Sequence, residues 1–169
     1  MAVLESTMFG ALEYEPSQLI VLTAPLLGLP GTSRLLPVSQ QVIAPFVFFQ
    51  SVENAKVCLL ATPVRVVKED FQTELSAEDR QMLRLTSTGE PDTGGNSGGR
   101  PIKSHAGPPP DLGIFAFVSV AEDQKVTANL LAPLVIHFAE NLAVQAIQPL
   151  DESFLRFPMN IVAAGGSPC

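Results

Sequence analysis

Charge is scarce in this 169-residue chain, and positive charge is scarcest. Charged residues make up 16% of it, against about 25% in an ordinary domain. Lys plus Arg number 10 and Asp plus Glu 17, a net charge of −7. A phosphate footprint needs clustered cations, so the balance argues against direct nucleic-acid binding and against docking on anionic lipid. A basic protein partner remains compatible with it. Cysteine is also rare. Cys58 sits in the apolar run Val57-Cys58-Leu59-Leu60 and reads as a small buried hydrophobe, and Cys169 is the last residue, so no disulfide framework is expected. Long hydrophobic runs are lacking. The longest, Leu19 to Leu29, is interrupted by Pro25 and is about half a membrane span. Met1-Ala2-Val3-Leu4-Glu5 has no basic opening of a secretory leader, and a cytoplasmic location is expected.

Catalytic signatures are equally sparse. There are two histidines. His105 falls in a Gly/Pro-rich stretch, and His137, beside Val135 and Ile136, reads as a structural histidine. No HExxH, CxxC or paired His/Cys spacing occurs, which leaves a zinc site without support. The run Thr93 to Arg100 is glycine-rich but lacks the Lys-Ser/Thr end of a phosphate loop, and no G-x-S-x-G elbow is present. The reading is a non-enzymatic protein with no cofactor and no metal.

What the chain does have is strand. Pro45 to Val52 is dense in aromatic and β-branched residues, which suits a strand buried on both faces. Val57 to Ala61 follows the turn-like Glu53-Asn54-Ala55-Lys56 and predicts a hairpin. Ile114 to Val120 is nearly continuous. Val126 to Leu130 alternates, with Val126, Ala128 and Leu130 on one face and Thr127 and Asn129 on the other. Glu122-Asp123-Gln124-Lys125 joins these two as a hairpin loop. Pro133 argues against a helix over Leu130 to Ile147. That region is read instead as a strand Leu134 to Phe138, a turn at Ala139-Glu140-Asn141 and a return strand Ala143 to Gln148.

One short helix is predicted. Ser76-Ala77-Glu78-Asp79 resembles an N-cap followed by acids in the first turn, with Asp79 in place of the usual Glu or Gln of a capping box. The helix would run to about Leu85 and dock through Met82, Leu83 and Leu85. Thr86 to Asp111 then carries six glycines and the triplet Pro108-Pro109-Pro110. It is too poor in apolar side chains to offset its ordering entropy. It is expected to be a flexible insertion within a single mainly β domain spanning 1–162, with 163–169 a loose tail. Most acidic pairs read as solvated loop faces. The functional alternative is an acidic rim that steers a cationic protein.

Several segments, taken in order, resemble the flagellar assembly factor FliW family. They are Gly28-Leu29-Pro30-Gly31, Pro45-Phe46 leading to Phe49-Gln50-Ser51-Val52, and Phe115 to Val120 followed by Val126 to Ile136 with its core Asn129-Leu130-Leu131-Ala132-Pro133. Phe154-Leu155-Arg156-Phe157-Pro158-Met159 closes the series, and Gly10 matches an early family glycine. Thr32, His137, Phe157 and Thr62-Pro63 depart from the usual family residues. The resemblance implies a compact antiparallel β-barrel-like domain without enzymatic activity. It further implies a partner switch in which flagellin occupies the protein until export frees it to bind CsrA, a small basic RNA-binding regulator, and so relieves repression of flagellin mRNA.

On that footing, Glu122, Asp123, Asp151 and Glu152 are the expected acidic docking residues. Phe154 and Arg156 anchor the C-terminal segment or touch a partner, with packing favoured for Phe154. Two alternatives stand beside this reading. One is a structural or small-ligand-binding β-barrel, which a filled core would oppose and an open cavity would favour. The other is a small hydrolase using Ser119 or Ser51 with His137.

Overall fold

Strands rich in apolar residues on both sides need cover on both sides, and the chain supplies it by closing a barrel and wrapping the outside. The computed structural model describes residues 1–85, 100–101 and 111–161. The expected insertion lies outside them apart from Arg100–Pro101 and Asp111, as do the tail and Cys169. A hairpin of β1 (Ala2–Ser6) and β2 (Gly10–Tyr14) is followed by β3 (Ile20–Leu22), β4 (Arg34–Ser39), β5 (Val47–Ser51) and β6 (Cys58–Pro63). Next come a single helical turn α1 (Val64–Val67), β7 (Glu74–Leu75), α2 (Ala77–Met82) and β8 (Arg100–Pro101). The chain ends with β9 (Leu112–Val120), β10 (Val126–His137), β11 (Leu142–Gln145) and β12 (Phe157–Pro158). Strands β3-β4-β5-β6-β9-β10-β11 form a closed seven-strand barrel. All its pairings are antiparallel except the closing one, where β11 runs parallel to β3 (Leu142 opposite Val21, Ala143 opposite Leu22).

The period-2 alternation sorts each strand between interior and jacket. On β9, Phe115 and Phe117 point inward while Ala116 and Val118 face α1 and the C-terminal segment. On β10, Leu134 and Ile136 fill the barrel and Val135 meets Leu83 beyond α2. The β1–β2 hairpin covers the outside of β4, burying Leu4, Leu19 and Leu36 together. With Phe49, Ile20, Leu35, Leu134 and Ile136 fully buried at its centre, the barrel is filled by side chains, as expected for a small barrel. This opposes a ligand chamber within it.

Both predicted hairpins form: β5 pairs with β6, and β9 with β10. Around α2 the capping box is complete, since Ser76 Oγ accepts from Asp79 N–H at 3.0 Å and Asp79 accepts from Ser76 N–H at 3.2 Å. The helix ends earlier than predicted because Arg84 adopts a left-handed φ of 54° and Leu85 N–H turns back to Arg80 O, the geometry of a Schellman stop. One helix was predicted and two short ones are present among the described residues. The extra turn, α1, is four residues of poor propensity, held because Val64 is buried against Ala116 and Leu130.

The expected break at Pro133 is absent. β10 is one strand of 12 residues with an irregular register between Asn129 and Leu134. Asn129 makes this possible. Its Oδ1 accepts from the N–H groups of both Leu131 and Ala132 at 3.0 Å, the two donors the bulge takes out of the β9 ladder. Proline has no N–H to satisfy, and its carbonyl accepts from Ala146 N–H. Asn129→Ala should therefore cost about 1–3 kcal/mol, the penalty for stranding partly buried donors. Asn129→Asp, which keeps the acceptor, should recover most of it. Urea unfolding of the three proteins checks this.

The β5–β6 loop is tied down by charge. Glu53 accepts from Arg34 Nε at 2.9 Å, from Ser33 Oγ at 2.8 Å and from both backbone N–H groups of Ser33 and Arg34. Burial alone would raise its carboxyl, but these hydrogen bonds prevail and hold its pKa at about 2, down from 4.5. A depressed carboxyl adds stability above its unfolded pKa and loses it as the pH falls through the folded one. The pair is partly exposed, so Glu53→Gln should cost about 1–2 kcal/mol at neutral pH. The gap between variant and parent in urea midpoints should close as the pH falls from about 4.5 towards 2.

Candidate partner-binding surface

Glu122 and Asp123 occupy the β9–β10 hairpin loop and are exposed. Asp123 is engaged locally. It pairs with Lys125 Nζ at 2.7 Å and accepts from Lys125 N–H, and its carboxyl is held below the usual range by these bonds. The turn is completed by Gln124 at a left-handed φ of 65°. Asp151 caps the 3-10 turn Glu152–Phe154, accepting from Ser153 N–H at 2.8 Å and from its hydroxyl. The Ser153 hydroxyl and amide lower its carboxyl pKa. The side chains of Glu122 and Glu152, by contrast, have no hydrogen bond or ion pair among the described residues. Each acidic pair thus divides into one residue that shapes its turn and one whose charge is free.

Phe154 is half-buried. It stacks on Phe157 with centroids 5.8 Å apart and lies 6.5 Å from Phe71, so it packs within the C-terminal segment. Phe157, a departure from the family pattern, completes that stack. Arg156 is exposed. The structure attaches both acidic pairs to the first half of β10. The hairpin loop leads into Val126, and β12 pairs Phe157 and Pro158 with Ala128 and Thr127. It does not bring the pairs into contact.

Sequence reasoning missed an apolar groove. One edge of β10 is shared: β12 takes Thr127 and Ala128, and β11 takes Leu134 to His137. Between them the edge forks, at the Asn129 bulge, and a groove of about 350 Å³ opens there. Leu27, Leu29, Leu59, Leu131, Ile147 and Leu155 line it, and Leu27 and Ile147 are more than 60% exposed. Its walls are fixed by Gln145, whose Nε2 donates to Ala132 O at 3.1 Å and whose Oε1 accepts from Leu27 N–H at 2.9 Å. Gly28 turns that loop at a left-handed φ of 79°. The adjacency of Leu130 and Leu131, one on each side of a strand that should show a polar face, was the signal available.

No catalytic pair is assembled from the residues considered for one. His137 Nδ1 lies 2.8 Å from Leu83 O, so it carries a proton and donates. Ser119 pairs with Thr127, and His137 with Leu112. Leu112 and Ser119 are seven residues, or about 23 Å, apart along β9. Ser51 is fully buried, and its Oγ accepts from Asn54 N–H. Cys58 is a free thiol, half-buried rather than buried, and burial raises its pKa. Among the described residues no group of three or more His, Cys, Asp or Glu could hold a metal ion, and no helix is long and apolar enough to cross a membrane.

Comparison with known proteins places this architecture. The chain is 24% identical over 156 residues to the flagellar assembly factor FliW 2 of Desulfotalea psychrophila, covering 92% of this chain and 89% of that one. It is 25% identical to the flagellar assembly factor FliW of Clostridium acetobutylicum (92% and 96% covered). It is likewise 25% identical to that of Shouchella clausii (96% and 98% covered). A crystal structure of the flagellar assembly factor FliW superposes with a TM-score of 0.69 at 17% identity, covering 93% of this chain and 94% of that one, so the fold is shared. The family described as FliW protein matches residues 3–159. With that match running from β1 through β12, the chain belongs to the FliW family of flagellar assembly factors.

Proposed function

We propose that this protein is a non-catalytic cytoplasmic partner switch. It holds flagellin while flagellin is plentiful and, once freed, binds a basic CsrA-type translational regulator and lifts repression of flagellin mRNA. The observation that carries the reading is convergence. The Gly28–Gly31 turn, the Asn129–Pro133 bulge and the C-terminal segment at Leu155 are far apart in sequence and carry the family resemblance, and all three border one apolar groove. The acidic turn opened by Asp151 and Glu152 leads directly into Leu155. An apolar groove beside uncompensated negative charge suits a protein segment with an apolar face and basic flanks. The charge raises the encounter rate and selects against acidic competitors, and the groove sets the residence time.

The two free acids are the sharpest probes, because reversing Asp123 or Asp151 would also disturb a turn. Glu122→Lys with Glu152→Lys should leave the melting midpoint unchanged. It should weaken binding of the CsrA-type protein about five- to tenfold at low salt, with a smaller difference at high salt. Isothermal titration against the purified regulator and against flagellin measures both. Unchanged affinity for the regulator would remove the acidic surface from the account.

A further inference from the structure

At the other end of β9, away from the groove, the barrel mouth holds a second cleft, of about 370 Å³, open on one side. We propose that it is a binding site for a small, neutral aromatic molecule. Its floor is Phe49 and Phe115, packed edge to face with centroids 5.5 Å apart, and its walls are Phe46 and Phe138. An edge-to-face pair presents a ring face and a ring edge on which a third ring continues the same packing. Phe138 is 45% exposed, an unusual position for a phenylalanine that follows the last residue of a barrel strand.

The space is kept open by an absence. Gly113 faces the same side of β9 as Phe115, and a Cβ there would stand 2.6 Å from the Phe138 ring and 2.7 Å from the Phe115 ring. Only glycine lets both rings sit where they do.

The lining also disfavours an anion. It includes no Lys or Arg, so an anion entering would give up hydration without a counter-charge and would meet the negative faces of the rings. Polar contact is offered at the rim alone, by Ser39, Gln40 and Gln41, whose side chains have no protein hydrogen bond among the described residues. A volume in the range of about 300–1,000 Å³, aromatic walls and a few uncommitted polar groups at a barrel mouth are the features of small-molecule sites. The buried core beneath does not need to open, since the cleft lies above Phe49 and Phe115.

The test uses the full-length chain alone, so its outcome is independent of the partner-switch reading. Titration with indole, followed by saturation-transfer NMR, should give a saturable Kd of about 1 mM or tighter, which is what nine heavy atoms support. Indole-3-acetate should bind at least about tenfold more weakly. Gly113→Ala should weaken indole binding at least about fivefold by pushing the two rings into the cleft. Phe138→Ala should weaken it to a similar extent, with a thermal melt to show that the variant is folded at the titration temperature, and stands on its own if Gly113→Ala fails to fold. Leu155→Ala, in the other groove, should leave the Kd unchanged. No saturation with indole, equal binding of the anion, or a Kd indifferent to Phe138→Ala would each overturn the proposal.

Discussion

A strand has two edges, and β10 must serve three neighbours. β9 occupies one edge along most of its length, while β12 and β11 divide the other. The division is physical only if β10 can change course between Asn129 and Leu134 without leaving backbone donors unpaired inside a packed domain. The Asn129 carboxamide and the missing N–H of Pro133 meet that condition together. From it follow the closure of the barrel on β3 through β11, the anchoring of the C-terminal segment, and the fork in which the apolar groove lies. The groove is the space left where one strand passes from one partner to another.

The strands were legible where side-chain period decided them. Val126, Ala128 and Leu130 alternate in sequence, and they are the residues of β10 that pack beneath α1 and Phe154. Pro45 to Val52 read as doubly buried because the β1–β2 hairpin covers what would otherwise be its wet face. The Ser76 cap was legible because the interaction is local, three residues apart. Asn129 was not: as the polar member of an alternating strand it looks the same whether it faces water or holds two backbone amides. Pro133 misled for the related reason that a proline's cost depends on whether its N–H was wanted. The parallel closure of β11 on β3 had no local trace, being fixed by a pairing across about 120 residues.

The candidate surface shows the same divide. Acidic pairs are conspicuous in a sequence, but their division into turn-forming and free carboxylates depends on where Lys125 and Ser153 fall. The groove takes its lining from loops and strands that are scattered between Leu26 and Leu155, and no window of sequence contains more than a fragment of it. The motifs carrying the family resemblance did mark its borders, though for reasons of backbone geometry: Gly28 at a left-handed φ and Asn129 as an internal cap.

A filled barrel also limits how two partners can exclude one another. Coupling between separate sites requires an element with two packings of similar free energy. The interior here is a close-packed set of phenylalanine, leucine and isoleucine side chains without a chamber, and such interiors resist continuous deformation. The turns that carry the acidic residues are pinned by their own side chains, Asp123 to Lys125 and Asp151 to Ser153. Under the partner switch proposed above, a scaffold of this kind would leave exclusion to overlapping footprints at the forked edge of β10 and its acidic flank. The order of occupancy would then be set by the partners' concentrations and affinities, with no change of fold required between the two bound states.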